Sequence, residues 1–298
     1  MPNWNEVLRE MQKESTNGNP APIDTVRKRY LASISNITGR NTIAYYSGWL
    51  QKPNSAAAIV NDKDKAGFML NVHKLDTSKG LDLILHTPGG DIAATESLVD
   101  YLYSIFGKNI RVIVPHIAMS AGTMIALASY EIVMGKQSNL GPIDPQQGGV
   151  SCQAVIDEFY GAVEEIRTKP YSAPLWQTII NKYHPTYLGS CKQAIEWSET
   201  MVSKWLFDNM CQGDKEKVDT IIKIFSDHST QKSHSRHISR SACIAAALKI
   251  SELESDQALQ EAVLTTHHAF MHTFFNSNAV KIIENQIGEA YVEQITKS

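Results

Sequence analysis

A repeated local unit constrains this chain more than any other feature. Each copy is an apolar run, a turn of small residues, and a helix-forming stretch. Leu81-Asp82-Leu83-Ile84-Leu85-His86-Thr87 leads into Pro88-Gly89-Gly90-Asp91 and then a helical pattern to about Phe106. Ile110-Arg111-Val112-Ile113-Val114-Pro115 leads, after His116, Ile117 and Ala118, into Met119-Ser120-Ala121-Gly122-Thr123. Good helix formers follow at 124–130, and a third strand candidate at 131–134. Strands and helices alternating through short connections imply an α/β fold with a largely parallel sheet. In such folds ligands collect beyond the C-terminal ends of the strands, so both turns should open on one rim.

The turns carry the chemistry. Ser120 sits at a strand-to-helix turn, where free backbone N–H groups and the positive end of a helix dipole meet. Negative charge developing on a bound carbonyl oxygen would find donors already in place. Serine also favours the N-cap position, and an ordinary cap is the plain alternative. Two adjacent glycines after a strand allow positive φ and close approach of backbone to a ligand, or simply a tight turn. Asp91 can cap the helix that follows.

Three motifs together carry a resemblance: Thr87-Pro88-Gly89-Gly90-Asp91, Ala118-Met119-Ser120-Ala121-Gly122-Thr123 and Leu140-Gly141-Pro142-Ile143-Asp144-Pro145-Gln146. The chain resembles the ClpP/SppA clan of serine peptidases, which has the crotonase-like ββα-spiral fold. Within the clan it is most similar to the serine dehydrogenase proteinase family. The likeness extends to Gly39-Arg40-Asn41, Tyr45-Tyr46-Ser47-Gly48-Trp49, Gly80-Leu81-Asp82-Leu83 and His267-His268-Ala269-Phe270-Met271. It implies an ATP-independent serine peptidase working through an acyl-enzyme, with Ser120 as nucleophile. It also implies an oxyanion hole of backbone N–H groups from Gly89 or Gly90 and from Ala121.

A serine hydroxyl needs a group to take its proton, and here the chain departs from the better-known members. The stretch matching the ClpP histidine region, Gly141-Pro142-Ile143-Asp144-Pro145, holds no histidine. SppA-like relatives use a lysine, and Lys169 is the one lysine between Gly141 and Tyr171. His116, His234 and His237 are further candidates for the base, and Asp144 could orient it or hold the turn. With no base visible, a peptide-binding scaffold or oligomeric pseudo-protease that does not cut is the second reading. An acyl-CoA enzyme of crotonase type is the third.

The 298 residues allow a sizeable core. We expect a helical segment at 1–40, the ClpP/crotonase-like core at 41–150 and a helical region at 151–298 packed on the core or a neighbouring subunit. Helices are read at 3–13, 23–35, 62–75, 154–168, 174–183 and 190–211, and a strand at 42–47. A polar loop is expected at 229–240. A net charge of −3 and a pI near 6.4 provide no basic field for nucleic acid or anionic lipid. Cys152, Cys191, Cys211 and Cys243 form no CxxC pair, which argues for a reducing compartment and against a thiolate metal site. No signal peptide or transmembrane segment is read, so a cytoplasmic homo-oligomer acting on protein or peptide is expected. No cofactor and no metal are implied. His268 and His272 share a helix face at i, i+4, but their aromatic neighbours favour packing over metal binding.

Overall fold

A computed structural model describes residues 4–226 and 234–295. Two helices, α1 (Trp4–Thr16) and α2 (Pro22–Thr38), lead into β1 (Asn41–Ser47) and α3 (Lys63–Val72). The two predicted units follow as β2 (Leu81–His86), α4 (Ile92–Phe106), β3 (Ile110–Val114), β4 (Ile117–Ala118), α5 (Ala121–Leu127) and β5 (Glu131–Met134). Short pairings β6 (Asn139–Leu140), β7 (Gln146–Gln147) and β8 (Val150–Ser151) connect to a helical arm of α6 (Cys152–Thr168), α7 (Ala173–Ile180), α8 (Tyr187–Asp208) and α9 (Lys215–Ser226). The chain ends with β9 (Ile238–Ser239), α10 (Arg240–Ala245), β10 (Ile250–Glu252), α11 (Gln257–Asn276), β11 (Ala279–Asn285) and β12 (Ala290–Gln294). Of the loop expected at 229–240, residues 229–233 lie outside the described residues.

The main sheet has strand order β10-β5-β3-β2-β1-β11-β12. The first five strands run parallel, and β11 and β12 pair antiparallel to their neighbours. Helices cover both faces, so β2 is buried throughout and reads as a near-continuous apolar run. Leu81, Leu83 and Leu85 pack with Leu98, Leu102, Met124 and Trp205 on one face. Ile84 and Ile113 pack with Leu31, Ile34, Val263 and Phe270 on the other.

The C-terminal region is not helical throughout. It returns to the sheet and supplies three of its strands, two of them forming one edge. The sequence pattern conceals β11 because polar side chains interrupt it, yet every residue of that strand is buried. Each polar group has a partner at depth. Lys281 pairs with Asp64 at 2.7 Å, Glu284 with Arg27, and Asn285 donates to the Asn71 carbonyl at 2.7 Å. His268 and His272 pack against Trp4, with ring centroids 5.8 and 3.8 Å away, and His272 Nε2 donates to the Trp4 carbonyl.

A layer of histidines lies under the rim. The His86, His116 and His267 rings stand 5.1 to 5.7 Å apart, centroid to centroid, and Trp49 covers His86 at 4.3 Å. A carbonyl oxygen only accepts, so the 3.1 Å contact from His86 Nδ1 to the Ile117 carbonyl puts the proton on Nδ1. Burial, then the neighbouring His267 and His116, pushes the His86 imidazole well below its ordinary range. His267 is pushed down to about 3, first by burial and then by His116 and His268. The folded chain therefore refuses protons that the unfolded chain accepts below about pH 6.5. Stability should fall as pH drops through about 6.5, and keep falling until His267 itself titrates near 3. Thermal melts between pH 7 and 4 should show this slope, and His267→Phe should flatten it. An unchanged slope in that variant would mean that this ring does not carry the effect.

Candidate active site

The two special turns are joined to each other. Thr87 and Ala118 form a parallel bridge, with Met119 N–H donating to the Thr87 carbonyl at 3.0 Å and Thr87 N–H to the Ile117 carbonyl at 3.3 Å. Gly122 is a glycine because a β-carbon there would lie 2.5 Å from Thr87 Cγ2. The Thr123 hydroxyl donates to the Ala118 carbonyl and accepts from Gly141 N–H, both at 2.9 Å, which ties in the third motif. The three motifs read from sequence are thus one hydrogen-bonded assembly.

Ser120 is not an ordinary cap. Its side chain makes no capping hydrogen bond, and its backbone has φ 51° and ψ −119°. A non-glycine residue with positive φ costs free energy that the surroundings must offset, and such positions cluster at functional sites. The strained turn sets Ser120 in the wall of a cavity of about 250 Å³. Gly89, Gly90 and His234 line the same cavity, with apolar walls from Ile59, Pro88, Ile92, Met124 and Pro145. Both turns therefore open on one space.

The free donors can be identified. Gly89 N–H is directed to the Thr87 hydroxyl at 3.2 Å. The Gly89 carbonyl accepts from Val60 N–H at 2.8 Å. Because a trans peptide is planar, its carbonyl and N–H point in opposite directions, so Gly90 N–H points away from Val60. Among the described residues, neither Gly90 N–H nor Ala121 N–H has an acceptor.

Asp144 and His234 meet across 90 positions of sequence. His234 Nδ1 lies 2.8 Å from Asp144 Oδ1, and Asp144 is 3% exposed. The segment holding Asp144 is fixed at both ends: Ile143 N–H donates to the Phe225 carbonyl, the Ser198 hydroxyl to the Ile143 carbonyl, and Cys152 N–H to the Pro145 carbonyl. An imidazole oriented by a buried carboxylate is the arrangement that a general base requires. Lys169 is not brought to this cavity. It ends α6, its side chain is 56% exposed, and its Nζ lies 3.9 Å from Glu165 Oε1. His116 belongs to the histidine layer, and His237 acts on His116 electrostatically. Among the described residues no group of three or more His, Cys, Asp or Glu side chains could hold a metal ion.

Residues 57–181 match the family model described as ClpP-like SDH-type serine proteinase. This segment belongs to that family. It contains Gly89, Gly90, Ser120, Ala121 and Asp144, and stops short of His234. Two uncharacterized proteins of Methanocaldococcus jannaschii are similar to the chain. MJ1495 is 42% identical over 86 residues, 29% of each chain. MJ0137 is 38% identical over 98 residues, 33% of this chain and 34% of its own length. The chain thus spans about a third of the length of the curated relatives it matches. No helix among the described residues is long and apolar enough to cross a membrane.

In this ClpP-like segment Gly89 is packed directly against the serine turn. Its φ is +92°, and a β-carbon there would lie 2.6 Å from the Met119 carbonyl oxygen and 2.7 Å from Ser120 Cβ. Gly89→Ala should cost about 1–3 kcal/mol in strain, read as a drop of roughly 2–10 °C in melting temperature, and should slow labelling by a fluorophosphonate probe. Gly161→Ala, on an open helix face with nothing within 4 Å, is the control and should leave both unchanged or slightly raise stability. Wild-type behaviour of Gly89→Ala would mean that the two turns are not packed together as described.

Proposed function

We propose that the chain is a serine peptidase in which Ser120 attacks the scissile carbonyl, His234 is the general base and Asp144 orients it. The observation that carries this reading is the shared cavity: a strained serine and a carboxylate-bound imidazole line it together with the Gly-Gly turn. Attack forms a bond from Ser120 Oγ to the carbonyl carbon while the hydroxyl proton passes to His234 Nε2. The proton on Nδ1 stays with the imidazole and donates to Asp144, which stabilises the imidazolium. The carbonyl oxygen, now negative, takes hydrogen bonds from Gly90 N–H and Ala121 N–H. The tetrahedral species collapses with loss of the amine, which leaves with the proton from Nε2. Water then hydrolyses the acyl-enzyme, with His234 again accepting the proton.

Two features favour this over a non-cutting scaffold. Binding alone has no use for strain at Ser120, nor for a buried carboxylate aimed at an imidazole. We further read the protein as a cytoplasmic homo-oligomer. Four buried, unpaired cysteines suit a reducing compartment. Exposed Tyr160, Val163, Tyr171 and Leu175 on the α6–α7 arm would give copies an apolar contact.

Ser120→Ala should abolish peptide cleavage and fluorophosphonate labelling. His234→Ala should slow both by about 10²–10⁴-fold, the usual worth of a general base, while Lys169→Ala should leave them near wild type. Full labelling of Ser120→Ala, or a loss confined to Lys169→Ala, would overturn the assignment.

A further inference from the structure

A fully buried ion pair lies behind the Gly-Gly turn and takes no direct part in the chemistry above. Lys281 is 0% exposed and Asp64 1%. Lys281 Nζ also lies 3.7 Å from Glu293 Oε2, whose other oxygen faces Lys63; a buried pair is a poor source of stability, because desolvation offsets the attraction. Burial accordingly raises the Asp64 carboxyl above its ordinary range, with Lys281 acting the other way. What the pair holds is a short irregular stretch, Ile59-Val60-Asn61. Lys281 Nζ donates to the Ile59 carbonyl at 2.7 Å. Asp64 Oδ2 accepts from Asn61 N–H at 2.9 Å and from the Tyr45 hydroxyl at 2.8 Å.

The Ile59 carbonyl and Val60 N–H belong to one planar peptide unit, as do the Val60 carbonyl and Asn61 N–H. Each unit is gripped by the ion pair on one edge and by the Gly-Gly turn on the other. Val60 N–H donates to the Gly89 carbonyl at 2.8 Å, and Asp91 N–H donates to the Val60 carbonyl at 3.0 Å. The next planar unit is Gly89–Gly90, whose N–H is the free donor of the site. An unbroken line therefore runs from the Lys281 ammonium through two peptide units to Gly90 N–H. Charge at one end of such a line polarises each hydrogen bond along it in the same sense. The approach is close: a β-carbon on Gly90 would lie 2.3 Å from the Val60 carbonyl oxygen.

We propose that Lys281, paired with Asp64, is a positioning residue for the oxyanion donor Gly90, acting through the Ile59–Val60 and Gly89–Gly90 peptide units. The inference rests on the serine peptidase reading for the role of Gly90. It adds that two residues 217 positions apart, neither in contact with substrate, set the direction and strength of that donor.

The test replaces both charges together, Asp64→Asn with Lys281→Met, so that neither is left buried alone. Asp64→Leu with Lys281→Met is the alternative pair if the first does not fold. Amide hydrogen exchange on the folded variant should show Val60 and Asp91 exchanging at least about tenfold faster, as expected when a local opening is eased, with β1 and β2 amides unchanged. Peptide cleavage should show kcat reduced about 10- to 100-fold, toward the loss of one oxyanion donor, with KM within about threefold and Ser120 still labelled slowly. Wild-type exchange at Val60 overturns the clamp. Faster exchange with unchanged kcat overturns its role in positioning the donor. If the wild-type chain itself neither cleaves nor labels, the peptidase reading fails and the oxyanion role with it, while exchange at Val60 still decides whether the ion pair holds the turn.

Discussion

The parallel bridge between Thr87 and Ala118 is the contact on which the site depends. Two strand ends that merely lie side by side would leave their following loops free to diverge. Two hydrogen bonds prevent this, Met119 N–H to Thr87 and Thr87 N–H to Ile117, while the Thr123 hydroxyl holds the serine turn itself to the Ala118 carbonyl. The glycines follow from the same closeness. Gly122 must clear the Thr87 methyl, and Gly89 must clear the serine turn. The motif residues with no part in the proposed chemistry are therefore present to bring the two loops together.

Local chemistry was legible in the sequence wherever a single element decided it. Strands 81–86 and 110–114, the Asp91 cap and the glycine turns all follow from nearest-neighbour preferences, and all lie within the matched family segment. Asp91 accepts from Ala94 N–H at 2.8 Å, as a cap should. The proposed base was not legible in that way. His234 stands in a polar stretch 90 residues beyond Asp144, and nothing short of the folded chain brings the pair together. Lys169 drew attention only because related peptidases use a lysine at a comparable point; its helix end faces solvent.

The inner strand of the C-terminal edge, β11, escaped the pattern for a physical reason. Hydrophobic patterning assumes that buried positions are apolar, and β11 breaks that assumption three times in seven residues, at Lys281, Glu284 and Asn285. Each polar group is matched by a partner from a distant element: Asp64 on α3, Arg27 on α2, Asn71 on α3. These pairs lock the C-terminal edge of the sheet to the helices that precede the first motif. The chain thus closes on itself, and residues from its last thirty support a turn formed near residue 90.

The most direct measurement is a crystal structure of the wild-type protein after reaction with a peptidyl boronate, whose tetrahedral adduct reproduces the charge and shape of the attacked carbonyl. The account predicts boron bonded to Ser120 Oγ, one boronate oxygen about 2.7–3.1 Å from both Gly90 N and Ala121 N, the usual span for an oxyanion donor, and His234 facing another. Absence of a bond at Ser120, or an adduct whose oxygen points away from both amides, would contradict it.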